Sequence, residues 1–176
     1  MKLLAIETAT EACSAALSID GELRERFQIA PRGHTELILP MIDELMAEAD
    51  INISQVDAMA FGRGPGAFTG VRIAAGVTQG IAFGADLPVV PVSTLAALAQ
   101  GIGTQGIRTQ GDPSDRVLVA LDARMGEVYW GAYQRNAAGL MELLGEECVS
   151  PPAGVPLGEG GGWRGAGAGW AGDESG

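Results

Sequence analysis

The sequence predicts an α/β protein in which one three-stranded unit is used twice. Three observations carry that prediction. The chain opens with three short apolar runs joined by turn residues, alternates helix and strand patterns from residue 35 to 100, and starts a second three-strand run at residue 116. The composition suits a packed fold: of 176 residues, 47% are hydrophobic and 19% charged, enough apolar chain for one large domain or two small ones.

Residues 2 to 29 read as strands over Lys2 to Glu7, Cys13 to Ile19 and Glu22 to Ile29, with Asp20-Gly21 as a hairpin turn in which both central residues take positive φ. From Thr35 to Ala49 the residues Leu37, Ile38, Met41, Ile42, Leu45, Met46 and Ala49 recur at helical spacing. Pro40 either kinks this helix or marks its true first turn. Ser54 and Asp57 read as a capping pair for a short turn, followed by a buried strand from Ala58 to Phe61. The loop Gly62-Arg63-Gly64-Pro65-Gly66-Ala67-Phe68-Thr69 then leads into a helix from Gly70 to about Gly84, with Thr69 as its N-cap. Pro88 to Val92 is a further strand, and Ser93 caps a third helix ending near Gln100.

The turn-rich stretch 101–115 reads as a linker between a lobe at 1–100 and the start of a second lobe at 116–152. Arg116 to Asp122 repeats Lys2 to Glu7 as an apolar strand closed by a carboxylate; Glu127 to Gln134 and Leu140 to Val149 match the second and third strands. Residues 153–176 form a tail with 10 glycines in 24 positions, expected not to pack alone.

Charge narrows the function classes. Against 22 Asp and Glu stand 11 Lys and Arg, a net charge of -11, so unaided binding to a phosphate backbone is disfavoured. Lys2 is the only lysine, which removes any Walker lysine from the interior. The start lacks the unbroken apolar run of a secretory signal, and the least polar stretch, Ile73 to Ala85, is short of the ~20 residues that span a bilayer; the chain reads as soluble and cytoplasmic, with no membrane contact. Cys13 and Cys148 read as packing residues.

Candidate chemistry is sparse. Gly62, Gly64, Gly66 and Thr69 sit between a strand and a helix, where free N–H groups make an anion site, yet Ala67 breaks the dinucleotide register and the structural reading comes first. Glu7 and Asp122 end the first strand of each copy; they could hold a metal-bound phosphate or act as a base, or simply accept local N–H bonds. His34 is the only histidine, too few for a zinc protease motif, and reads as a turn or capping residue; no G-x-S-x-G elbow is present. No catalytic residue and no metal ligand is assigned.

The two long helices are greasier than one buried face requires. Gly76 and Gly80 share a face that permits close helix approach, and Met41 and Met46 are adaptable side chains. The pair reads either as a protein-docking surface, assigned to Leu37, Ile38, Met41, Leu45, Val71, Ile73, Gly76, Val77 and Gly80, or as two helices sandwiched within one monomer. The segment between Gly33 and Gly62 holds six acids and no Lys or Arg, so a partner bordering it is expected to be basic there.

Ile6-Glu7-Thr8-Ala9-Thr10, His34-Thr35-Glu36 with Leu39-Pro40, Gly62-Arg63-Gly64-Pro65-Gly66-Ala67-Phe68-Thr69-Gly70-Val71-Arg72-Ile73 and Leu121-Asp122-Ala123-Arg124-Met125-Gly126-Glu127-Val128-Tyr129 resemble the bacterial TsaB (YeaZ) family, and the likeness runs to about Trp170. The resemblance implies a duplicated actin-like, Hsp70-like ATPase fold of ribonuclease H-like βββαβαβα units. It also implies a non-catalytic partner of TsaD, which transfers threonylcarbamoyl to adenosine 37 of tRNAs reading ANN codons, with the ATPase TsaE as a third component. In that family the two N-terminal helices build both the TsaD contact and a competing homodimer. ATP and metal are then expected on the partners, with no cofactor on this chain and tRNA met only indirectly. Family members continue past the Gly-Trp segment, so the second lobe is expected to be incomplete here. The rival expectation is a free-standing actin-fold phosphotransferase using the glycine loop for nucleotide; a metalloprotease of the M22 type is a third.

Overall fold

The computed structural model describes residues 1–104, 115–156 and 162–170. The chain divides into two compact units, Met1–Thr94 and Leu95–Gly176.

In the first unit, β1 (Lys2–Glu7), β2 (Ala12–Ile19) and β3 (Glu22–Ile29) form an antiparallel meander. The β2–β3 turn has Asp20 and Gly21 at φ 51° and 94°, the mirror-image turn whose twist matches the flanking strands. Helix α1 (His34–Glu48) follows, then β4 (Ala58–Gly62), α2 (Phe68–Ala85) and β5 (Val89–Val92). β4 lies parallel to β1 and β5 parallel to β4, giving the sheet order β3-β2-β1-β4-β5. Alternation places Leu4, Ile6, Cys13, Ala15, Leu17 and Met59 on one sheet face, where they form a core with Ile38, Ile42 and Leu45 of α1 and Ala74 of α2. Here α2 shows the sheet its small residues, with Gly70, Ala74, Thr78 and Ala82 buried at four-residue spacing.

The second unit contains nearly all of α3 (Thr94–Thr104), then β6 (Arg116–Arg124), β7 (Glu127–Arg135), β8 (Met141–Ser150) and β9 (Trp163–Ala166). Its sheet order is β8-β7-β6-β9, with β9 parallel to β6. The first four positions of sheet one are thereby reproduced, and the duplication seen in the sequence is a duplication of topology. Taken one by one, the two sheets have the ribonuclease H-like strand order, in keeping with the duplicated actin-like ATPase fold that the resemblance implied.

Several local expectations are corrected. Pro40 lies inside α1, which starts before it and runs past it. The α2 N-cap is Ala67, so Thr69 is already helical. The turn before β4 is closed by Asn52, whose N–H donates to Gln55 Oε1 at 2.8 Å, while Asp57 accepts the Lys2 N–H at 2.7 Å. The lobe boundary falls after Thr94 and not at residue 100, because Leu95 and Ala99 are buried with Val117, Val119, Leu121 and Tyr133. Of the linker expected at 101–115, residues 101–104 belong to α3, Asp115 is buried against Arg135, and 105–114 lie outside the described residues. Part of the glycine-rich tail does pack: β9 pairs with β6, Ala166 is buried, and Trp170 Nε1 donates to the Ala166 carbonyl at 2.8 Å.

Candidate partner interface

The loop from Gly62 to Gly70 is held against the turn that follows β1. A Cβ on Gly62 would overlap the Glu7 carboxylate, one on Gly66 the Ala9 carbonyl, and one on Gly70 the Thr8 carbonyl. Hydrogen bonds fix the same contact: Ala67 N–H donates to the Ala9 carbonyl at 2.7 Å, and Thr8 Oγ1 donates to the Gly70 carbonyl at 2.7 Å. These glycines serve a close backbone approach, and the groups they face are acceptors. A phosphate placed on that side of Gly62 and Gly66 would meet a carboxylate and a carbonyl oxygen, while the Cβ position of Gly64 faces a Val71 methyl at 3.1 Å. Thr69 is exposed on the α2 surface.

Glu7 and Asp122 act alike in the two copies. Glu7 Oε1 accepts the Ala9 N–H at 2.6 Å and Oε2 accepts Thr94 Oγ1 at 3.0 Å; Asp122 Oδ1 accepts the Arg124 N–H at 2.8 Å. Each carboxylate thus bonds the N–H two residues on, the local role weighed for them from sequence. His34 opens α1 with its ring buried and Nε2 at 2.9 Å from the Thr10 carbonyl, tying the helix start to the β1–β2 turn. Cys13 is in the core, and burial pushes its thiol pKa up. Among the described residues no three His, Cys, Asp or Glu side chains come together as a metal site.

The helix pair is brought together, but its nine expected interface residues part ways. Ile38, Met41 and Leu45 face the sheet and are buried, and Leu37, Ile73 and Val77 pack against the same core. Val71 lies 3.1 Å from where a Gly64 Cβ would stand. Ile38, Met41 and Leu45 are thus taken up by the core of the unit, whereas Leu37, Val71, Ile73 and Val77 are half-buried. Gly76 and Gly80 alone of the nine are exposed, and a Cβ on either would meet nothing within 4 Å. Along the same side of α2 run Phe68, 71% exposed, Arg72, and Phe83, 91% exposed. On α1, Leu39 and Pro40 are exposed beside Glu36 and Asp43. Phe68, Arg72, Phe83 and Leu39 were missed from sequence. Their signal was phase: 68, 72, 76, 80 and 83 share one helix side, opposite 70, 74, 78 and 82.

This fold and this loop have known relatives. Residues 28–164 match the family described as TsaD, tRNA N6-adenosine threonylcarbamoyltransferase. The structure described as YeaZ from Pseudomonas aeruginosa superposes with a TM-score of 0.86 and 51% identity, covering 96% of this chain and 76% of that one. The chain belongs to the TsaB (YeaZ) family. The tRNA threonylcarbamoyladenosine biosynthesis protein TsaB of Escherichia coli is 48% identical over 152 residues, covering 86% of this chain and 63% of its own length. The TsaB of Haemophilus influenzae is 46% identical over 159 residues, covering 86% and 65%. This TsaB-family chain therefore spans a little under two thirds of those two relatives.

For a TsaB-family chain the useful geometry lies on α2. A Phe at 91% exposure costs solvation that nothing in the described unit recovers, and the open glycines beside it let another backbone approach. Also among the described residues, no helix is long and apolar enough to cross a membrane.

Proposed function

We propose that this chain is a non-catalytic subunit in tRNA threonylcarbamoyladenosine biosynthesis, docking a TsaD partner through the exposed side of α2 and the adjoining edge of α1. The observation that carries this reading is the α2 surface: Phe68 and Phe83 exposed at either end of Gly76 and Gly80, with open space over both glycines. Large aromatics flanking a shallow helix surface are what a tight helix–helix contact buries. The names of the relatives supply the pathway, and the carboxylate and carbonyls facing the glycine loop argue against nucleotide chemistry there. The partner set is TsaD and, through it, TsaE, in the cytoplasm, on tRNAs reading ANN codons; a homodimer through the same surface would compete with the TsaD complex.

The test is co-purification with the cognate TsaD. Gly76→Leu puts bulk into open space and Phe83→Glu puts charge on an exposed position, so both are expected to keep the far-UV circular dichroism of the parent while weakening the complex at least about tenfold. Undiminished binding by both folded variants would remove the α2 surface from the function. Turnover of Mg-ATP by the purified chain alone would favour the phosphotransferase instead.

A further inference from the structure

The α2 surface carries a charge arrangement of its own. The Arg72 guanidinium carbon lies 3.2 Å from the centroid of the Phe68 ring, a cation–π stack one turn apart on the helix. Stacking occupies one flat side of the guanidinium and leaves its N–H edge for other partners. Among the described residues Arg72 has no carboxylate within salt-bridge distance, although the chain holds 22 Asp and Glu. Other arginines are differently placed: Arg24 and Arg26 bridge to Glu44 and Glu48, Arg124 to Asp122, and Arg135 to Asp115. Helix α2 contains no Asp or Glu that could compete for Arg72.

We propose that Arg72, held flat on Phe68, is the specificity anchor of this surface and receives an Asp or Glu carboxylate from a helix of the partner. This rests on the docking reading above and adds the chemistry of the occupant. Charge complementarity selects it: a lone cation on an acid-free helix side, one turn from Gly76, meets a carboxylate on a backbone that the open glycines allow close. Pre-stacking reduces the side-chain freedom lost on binding, and guanidinium accepts carboxylate in a two-pronged fit that an ammonium does not reproduce.

The experiment measures the dissociation constant of the chain with cognate TsaD at low and high salt, with circular dichroism as the fold control. Both side chains are exposed, so their substitution leaves the core intact. Arg72→Gln is expected to weaken binding about tenfold or more and to flatten its salt dependence. Arg72→Lys is expected to recover only part of the loss, and Phe68→Leu to weaken binding more in the parent than on top of Arg72→Gln, where only the ring's own burial is lost. If Arg72→Gln binds as the parent does while Gly76→Leu fails to bind, the anchor is refuted and the docking surface stands. If Gly76→Leu, Phe83→Glu and Arg72→Gln all bind normally, the docking surface itself is refuted. Loss of self-association in Arg72→Gln with unchanged TsaD affinity would make a second copy the source of the carboxylate and overturn the proposal.

Discussion

At the scale of single residues, the glycines divide by what their missing side chains would touch. Gly70 and Gly76 lie six positions apart in one helix, and a Cβ on the first would overlap the Thr8 carbonyl while a Cβ on the second would stand in open space. Gly70→Ala is therefore expected to destabilise by about 1–3 kcal/mol, since the neighbour is backbone and cannot swing aside. Gly76→Ala is expected to stabilise by roughly 0.5–1 kcal/mol, the ordinary gain in a helix interior. Urea unfolding of the two variants checks the opposite signs; equal shifts would contradict the packing described for this loop. The sequence displayed the glycines but not their partners. A run such as Gly62 to Gly70 looks like a phosphate loop because both uses need backbone without side chains. Only the position of Glu7, Thr8 and Ala9 across from it decides between them.

At the scale of elements, strand period and turn chemistry made the meander legible, and helical period found α1 and α2 within two residues at each end. What period could not supply was orientation. Ile38, Met41 and Leu45 are among the large apolar residues of α1, so a search for sticky surface finds them readily, and the sheet has already buried them. The proposed docking side of α2 is less conspicuous because it is made of glycine, arginine and two phenylalanines. Between β3 and α1 a polar clamp also escaped notice. Arg26 donates to Glu48 at 2.6 Å and to Glu44 at 2.9 Å, and Arg24 Nε lies 3.6 Å from Glu48. The hydrogen bond from Arg26, with its charge, holds the Glu48 carboxyl below the usual carboxylate range and raises Arg26 itself. The sign follows: a carboxyl with a folded pKa below its unfolded one adds stability above the unfolded value and loses it as pH falls through the folded one. Glu48→Gln is expected to melt at slightly lower temperature than the parent near neutral pH and to lose less on acidification. Because these groups are at the surface, the effect should also shrink in salt. Parallel melting curves across the carboxylate range would show the clamp to be inert.

At the scale of the whole molecule, the repeat was visible because each copy opens with an apolar strand ending in a carboxylate, and Glu7 and Asp122 turn out to bond the N–H two residues on in both. The boundary was not visible. Helix α3 follows β5 directly, so chain order assigns it to the first unit, whereas Leu95 and Ala99 are wholly buried among residues of the second. That difference has a consequence for dissection. Every residue of the first unit's core cluster, from Leu4 to Leu87, lies before the boundary, and so does all of its five-stranded sheet. A chain of residues 1–94 thus retains its own core and a size at which single domains commonly fold. It is expected to unfold in one cooperative urea transition with its secondary structure intact. Since Phe68, Arg72, Gly76, Gly80 and Phe83 all belong to this piece, it should also bind cognate TsaD within about threefold of the 176-residue chain, well under the ~1.4 kcal/mol of a tenfold change. A fragment of residues 1–104 carries Leu95 and Ala99 away from the cluster that buries them, and is expected to self-associate more at equal concentration. Sedimentation of the two fragments, with circular dichroism and partner titration on each, separates the cases. A folded 1–94 that fails to bind would move the interface out of α1 and α2, and an unfolded 1–94 would show that the first unit depends on the second.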